Sequence, residues 1–158
     1  MIRVGIGFDA HQLGKDHKLI IGGVTITSDF GSIGHSDGDA LLHAITDAVL
    51  GAAGLGDIGH FFPSRDNQWK GADSRQFLGA AVEKAHSEGY VVDNVDSNII
   101  LQKPQLQDYI AEMRKILANT MKLKINQVSV KATTTDEMGF IGSGQGWAAQ
   151  AIVTLRSE

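Results

Sequence analysis

The chain has 158 residues, 42% hydrophobic and 20% charged, the balance of a globular domain long enough to bury a core. A net charge of −4 and a pI near 5.8 argue against a nucleic-acid grip, which needs a basic patch. With no cysteine, disulfides, a thiol nucleophile and Cys-ligated zinc are excluded, and any metal falls to His, Asp or Glu.

At the start of the chain Ile2, Val4, Ile6 and Phe8 alternate with Arg3, Gly5 and Gly7, the period of a half-buried strand. It lacks the apolar core of a signal peptide, and no stretch approaches the roughly 20 apolar residues of a membrane span, so the expected location is the cytoplasm. Lys18–Ile21 and Val24–Ile26 flank Gly22-Gly23 as a hairpin. Residues 37–53 predict a helix with Leu41, Ile45, Ala48, Val49 and Ala52 on one stripe and Asp39, His43 and Asp47 on another, ended by Gly54 and Gly56. The loop 57–72, at 16 residues, has the length of a lid or binding loop. Asp73 or Ser74 caps a helix that runs to Glu88 and stops at Gly89.

A strand over 90–101 puts Val95, Ser97, Ile99 and Leu101 on one face. Pro104 is expected in the first turn of a helix striped by Leu106, Tyr109, Ile110, Met113, Ile116, Leu117 and Thr120. A strand at Val128–Thr133, a Gly-rich loop over 139–146 and a last strand over 147–155 follow. This order predicts an α+β fold, a mixed sheet with helices packed on one face. The other face is expected to carry Arg3, Asn98, Lys131 and Gln150, too polar for a second helical layer and suited to solvent or a wet subunit interface.

Asp9 and His11, at i and i+2, point the same way where the first strand ends, and His43 lies one turn after Asp39 on the following helix. Two His and one Asp on two rigid elements suit Zn²⁺ and leave a coordination position open. Equally, Asp9 can cap a turn, His11 can sit in a loop and His43 can be a packing residue. In His35-Ser36-Asp37-Gly38-Asp39, Ser36 or Asp37 is expected as the helix N-cap; the same free N–H groups, with His35 donating, suit a phosphate. Asp57-Ile58-Gly59-His60 is either an ordinary turn or a carboxylate beside N–H groups that grips polyol hydroxyls.

Lys131-Ala132-Thr133-Thr134-Thr135-Asp136 ends a strand. Its threonines are either plain β-formers or hydroxyls that grip a diphosphate, with Asp136 holding a hard cation such as Mg²⁺. The run Gly142–Gly146 lacks the ending of a phosphate-binding Walker loop. Ser143 is no nucleophile elbow, because Ile141 and Gln145 stand at the two glycine positions. The residues point to a metal with a phosphate ligand and leave the reaction unnamed.

Taken in order, Asp9-Ala10-His11, the 35–39 run, His43, Gly51-Ala52-Ala53, Asp57-Ile58-Gly59, Phe62-Pro63, Lys70-Gly71-Ala72-Asp73-Ser74-Arg75 and Lys131–Thr135 resemble the 2-C-methyl-D-erythritol 2,4-cyclodiphosphate synthase family over nearly the whole chain. The resemblance implies a cyclising phosphorus–oxygen lyase that converts 4-diphosphocytidyl-2-C-methyl-D-erythritol 2-phosphate to the cyclic 2,4-diphosphate and CMP, in non-mevalonate isoprenoid synthesis. It implies Zn²⁺ on Asp9, His11 and His43, and transition-state stabilisation by His35 and Thr134. It further implies that Ser36, Asp57, Ile58 and Gly59, with Asp9 and His11, hold the methylerythritol phosphate under a loop of Phe62, Pro63, Ser64, Arg65 and Asp66. Leu101, Gln102, Lys103, Pro104, Gln105, Leu106 and Gln107, with Thr133, Thr134, Thr135, Asp136 and Phe140, would take the cytidine diphosphate, with Mg²⁺ or Mn²⁺ at Asp136.

The same resemblance implies a homotrimer with sites between subunits, which suits a polar sheet face. It also implies a single domain over 1–158, without the cytidylyltransferase domain of bifunctional members. The chain departs from the family pattern at Asp136, where many members have Glu, at Ser64, where Asp is common, and at Ser143 and Gln145, where some have Arg and Glu. Two other functions compete: a metal-dependent phosphodiesterase in which water attacks, and a non-catalytic trimeric module that binds isoprenoid diphosphates. The complete set Asp9, His11, His35, His43 and Thr134 favours the lyase.

Overall fold

The computed structural model describes residues 1–158. Its elements are β1 (Ile2–Lys15), β2 (Leu19–Ile21), β3 (Val24–Ile26), β4 (Phe30–Ile33), α1 (Ala40–Ala53), α2 (Ile58–Phe61), α3 (Ser74–Ser87), β5 (Tyr90–Ile100), α4 (Ile110–Met121), β6 (Val128–Thr133), α5 (Gly139–Gly142) and β7 (Gly146–Ser157). Five strands form one sheet in the order β4-β1-β7-β5-β6, with β2 and β3 a separate hairpin. All pairings in the sheet are antiparallel except β5 with β6, so it is a mixed sheet as predicted.

The helices cover one face. α1 lies on β1 and β7, against the side where Gly5 and Gly7 offer no side chain, and α3 packs behind it. Sandwiched in this way, α1 is apolar nearly all round: Leu41, Leu42, Ile45, Val49 and Leu50 are all fully buried, where a single stripe was expected. His43 and Asp47 stay only half-buried, on the flank that faces the site. On β5 the predicted inward row is realised in Val95, Ser97 and Ile99, and it continues into Leu101 just past the strand.

The open face of the sheet differs from the polar surface expected. Asn98, Lys131 and Gln150 do lie there, in register with Phe8 across β1, β7, β5 and β6. Arg3 does not. It shares the helix side with Gly5 and Gly7, where its Nη1 donates to the Ala53 carbonyl at 3.0 Å and its guanidinium lies 4.9 Å from the centre of the Tyr90 ring. Because α1 needs the glycine side of β1, the bulky row Ile2, Val4, Ile6 and Phe8 is turned outward, with Ile6 64% and Phe8 60% exposed.

Three local expectations also shift. The N-cap of α1 is Asp39, not Ser36 or Asp37. Its Oδ1 accepts Leu42 N–H at 3.1 Å and Gly22 N–H at 3.0 Å, while Oδ2 accepts Gly23 N–H at 2.8 Å, so one buried carboxylate joins the hairpin turn to the helix start. Pro104, after a cis peptide bond, sits in a turn six residues before α4; Leu106 reaches the core from that irregular stretch rather than from a helix. The loop 57–72 contains α2 and a 3₁₀ turn at Asn67–Trp69, and residues 139–142 wind into α5.

Candidate active site

Three electron-pair donors converge at the β4 side of the sheet. Oδ2 of Asp9 lies 2.9 Å from Nε2 of His11 and 2.9 Å from Nδ1 of His43, and the two ring nitrogens are 3.3 Å apart. The far side of each ring is already engaged. Nδ1 of His11 faces the Ile33 carbonyl at 3.3 Å, and Nε2 of His43 faces the Ser74 hydroxyl at 2.8 Å. A carbonyl only accepts, so His11 donates from Nδ1 and keeps the Nε2 lone pair for the triad. Ligand atoms about 2.0–2.2 Å from a tetrahedral ion lie about 3.3–3.6 Å apart, so this triangle is within a few tenths of an ångström of one face of a divalent-metal site.

The electrostatics agree with a cation site. Burial works against the Asp9 carboxylate, but the hydrogen bonds that His11 and His43 make to it when their rings are doubly protonated outweigh it and hold its pKa at about 2. Burial likewise works against the His11 cation, and the Asp9 carboxylate outweighs it and raises the pKa. The triangle attracts positive charge, which a proton or a metal ion can supply. Asp9, His11 and His43 thus fit a divalent metal.

A cleft of about 250 Å³ opens beside the triad, and Asp9, His11, His43, His35, Ser36, Ile58, Gly59, Phe62 and Ser64 all reach its wall. The sequence had marked each of these. It had not marked Trp69 and Phe77, which complete the wall: the Phe62 ring centre is 4.7 Å from that of Phe77 and 5.2 Å from that of Trp69. Only the generic apolar character of these two residues was visible in the sequence. Nε2 of His35 donates to the Asp66 carbonyl at 2.9 Å and ties the 62–66 loop to the phosphate-type run before α1. Asp57 caps α2 by accepting His60 N–H at 2.9 Å, Asp66 accepts from Gln68, and neither they nor Pro63 and Arg65 line the cleft. Asp47 accepts Ile58 N–H at 2.7 Å, which fixes α2 and Gly59 against α1.

The remaining predicted residues gather elsewhere. Leu101, Gln102, Pro104, Gln105, Leu106 and Gln107 surround a pocket of about 400 Å³ with Thr133 and Thr134, and Lys103 lines the cavity next to it. Thr135 donates to the Met138 carbonyl at 2.7 Å, and exposed Asp136 holds a left-handed φ of 51° with its N–H on Thr134 Oγ1. Phe140 lines a third cavity that it shares with His11. Ala10 beside the triad is in register with Ala148, Ile100 and Thr133 across three strand pairings, and at about 4.8 Å per pairing the two halves of the predicted site lie about 14 Å apart. His35 and Thr134 therefore line separate clefts in one chain.

Fold and site together define an α+β enzyme domain with a triad for a divalent metal. The YgbB family model matches residues 2–156. A 2-C-methyl-D-erythritol 2,4-cyclodiphosphate synthase of Geobacillus kaustophilus is 53% identical over 158 residues, covering all of both chains. Among solved structures, the bifunctional IspDF of Campylobacter jejuni superposes with a TM-score of 0.96 at 41% identity; all of this chain is covered, and it spans 43% of that longer protein. The Plasmodium falciparum IspF in complex with CDP superposes with a TM-score of 0.87 at 32% identity, over 99% of this chain and 97% of that one. The chain belongs to the YgbB family, and its activity is that of the cyclodiphosphate synthases, lyases of isoprenoid biosynthesis. No helix is long and apolar enough to cross a membrane.

Proposed function

We propose that residues 1–158 act as one catalytic domain that cyclises 4-diphosphocytidyl-2-C-methyl-D-erythritol 2-phosphate, with the triad cleft holding the reacting phosphates. The observation that carries this reading is the convergence of Asp9, His11 and His43 beside His35 and Ser36 in one cleft. A phosphate monoester is largely a dianion at neutral pH, so the 2-phosphate is already a nucleophile and no general base is needed. One of its oxygens attacks the phosphorus carried on the C4 oxygen, the bridging P–O bond to CMP breaks, and CMP leaves with that electron pair. No water enters.

The residues have two tasks: bringing repelling phosphates together and stabilising charge in an in-line displacement. Ser36 stands beside the triad to donate to a phosphoryl oxygen, and His35 does so by turning its Nε2–H from the Asp66 carbonyl to the phosphate. Ile58 and Gly59 bound the methylerythritol, Phe62, Trp69 and Phe77 exclude water from its apolar side, and Asp57 fixes the helical turn that presents them. Pro63, Ser64, Arg65 and Asp66 carry the covering loop, which His35 already anchors. A divalent ion held by the triad would polarise a phosphoryl oxygen and fix its orientation; two imidazoles and one carboxylate favour Zn²⁺ in that role. Asp136, an exposed oxygen donor, is the proposed site for Mg²⁺ or Mn²⁺ on the diphosphate.

The pocket formed by 101–107 with Thr133 and Thr134 is the proposed cytidine site, with Thr135 and Asp136 at its margin and Phe140 contributing from the cavity beside His11. Two observations support a homotrimer in which one chain's triad cleft meets the partner subunit's cytidine pocket: the separation of the two clefts, and the outward row Val4, Ile6 and Phe8. The proposed setting is the cytoplasm. ³¹P NMR with the cytidyl substrate and Mg²⁺, with and without a zinc chelator, tests the reading. Cyclic diphosphate plus CMP, lost on chelation, is expected. A linear product labelled from solvent water would instead mark a phosphodiesterase, and no turnover with tight isoprenoid diphosphate binding would mark a binding module.

A further inference from the structure

Ser74 opens α3 and is fully buried, directly behind His43. Its hydroxyl donates to Oδ1 of Asp37, and its backbone N–H donates to Oδ2 of the same carboxylate at 2.9 Å. The other face of the hydroxyl oxygen lies 2.8 Å from Nε2 of His43. A serine has one proton to give. With that proton committed to Asp37, Ser74 Oγ faces His43 as an acceptor, so His43 must carry its proton on Nε2 and present the Nδ1 lone pair to Asp9 and His11. Ser36 Oγ, at 3.1 Å, is a second acceptor for the same N–H.

Helix capping does not account for these contacts. Asp73 caps α3 by accepting Arg75 N–H at 2.9 Å, and Asp39 caps α1, so neither helix needs Ser74 or Asp37 as its cap. Asp37 also has its own N–H on the Ala72 carbonyl at 3.0 Å and accepts the Asp39 N–H at 3.2 Å, which holds its carboxylate rigidly behind the serine. Resting on the metal role given above to Asp9, His11 and His43, we propose that Ser74 and Asp37 are positioning residues for that metal. The chain from Asp37 carboxylate through Ser74 hydroxyl to His43 imidazole fixes the Nε2–H tautomer, drives electron density to Nδ1 and so sets the affinity of the triad for a divalent ion. Partners of this kind behind a ligating histidine typically change metal affinity by about 10- to 100-fold.

The test is Zn²⁺ titration of the chelator-stripped full chain against a chromophoric competitor, for wild type, S74A, D37N and D73A. D37N keeps the shape of the side chain and removes its charge, so it serves even where S74A folds poorly. Binding to S74A and D37N is expected to weaken by about 10-fold or more. D73A removes the true cap, and is expected to lower the melting temperature while keeping wild-type affinity. Nitrogen-15 NMR of the metal-free wild type, at a pH where the His43 ring is neutral, should show its one proton on Nε2. Wild-type affinity in both S74A and D37N, or a neutral His43 ring with its one proton on Nδ1, overturns the proposal and leaves the metal triad standing. A wild-type chain that binds no Zn²⁺ overturns the triad reading and this one with it.

Discussion

A Cβ on Gly5 would lie 1.9 Å from the carbonyl oxygen of Ala48, so strand and helix touch there backbone to backbone. Gly7 stands in the same relation to Ala44, at 1.8 Å. Asp9 lies two residues beyond Gly7 on β1, and His43 is the residue before Ala44 on α1, so this close approach is what brings the ligands of two elements within 3 Å. Ala at position 5 or 7 must push α1 off the sheet. G7A is expected to cost about 3 kcal/mol of stability or more, as overpacking does at its upper end, and to weaken metal binding even where the chain still folds. Thermal unfolding and metal titration on the same sample measure both.

These glycines explain what was legible in the sequence. Alternation on β1 identified the strand, and the spacing of Asp9 and His11 placed both on one side of it. Alternation cannot say which side a helix will choose. The small row won, because backbone contact needs glycine, and the outward position of Phe8 and the inward position of Arg3 follow from that. The triad and the cleft residues from His35 to Ser64 were recoverable because motif and local geometry coincide. Trp69, Phe77 and the Ser74–Asp37 pair were not, since each looks like an ordinary core or capping residue until the fold sets it behind a ligand. Likewise β4, four residues without alternation, is defined only by its pairing with β1.

Burial pushes the Asp39 carboxyl up to about 6, against the N–H groups of Gly23, Leu42 and Gly22. A folded-state pKa above the unfolded value of 3.8 means that the native chain binds the proton more tightly. This group's contribution to stability is therefore greatest below pH 4 and is lost as pH rises to about 6. D39N should remove that slope, a change on the order of 2–3 kcal/mol across the interval. Asp9 and Asp73, whose pKa values are lowered, add the opposite slope in both proteins and cancel in the comparison. Urea denaturation of wild type and D39N at a series of pH values gives the difference directly.

Protons compete with a metal for the triad. Asp9, held at about 2, stays charged through the accessible range, whereas His11, raised by that carboxylate, must release a proton for the metal to bind. Metal affinity is expected to fall as pH drops through the histidine range, with proton release on binding that grows in the same direction. H43A should lose metal and turnover together. Full activity in a metal-free H43A chain would remove the metal from the reaction. Calorimetry in buffers of different ionisation enthalpy counts the protons.

The outward row on β1 predicts the assembly. F8D places a charge on an exposed position, so the fold should survive with its stability changed by about 0.5 kcal/mol or less. A charge buried against a copy of itself is far more costly, and the proposed trimer should dissociate. Sedimentation should show single chains of 16.9 kDa that still bind metal and no longer turn over substrate. An active F8D monomer would mean that one chain holds the entire site.

The separation of His35 from Thr134 allows a stricter test of that site. Each is proposed to stabilise the transition state, so H35A and T134A should each lose about 100- to 1,000-fold in kcat, the usual cost of removing one such donor. If the two residues acted from one chain, mixing the two inactive proteins would leave every site defective. If a site instead takes His35 from one chain and Thr134 of the partner subunit, mixed trimers contain some sites in which both are intact. Random exchange in an equal mixture then makes both contributors intact in roughly a quarter of sites, because in the proposed trimer each contact is head-to-tail around the three-fold axis. Activity should return to about that fraction of wild type after unfolding and refolding the mixture together, and stay at the mutant level when the proteins are combined without exchange.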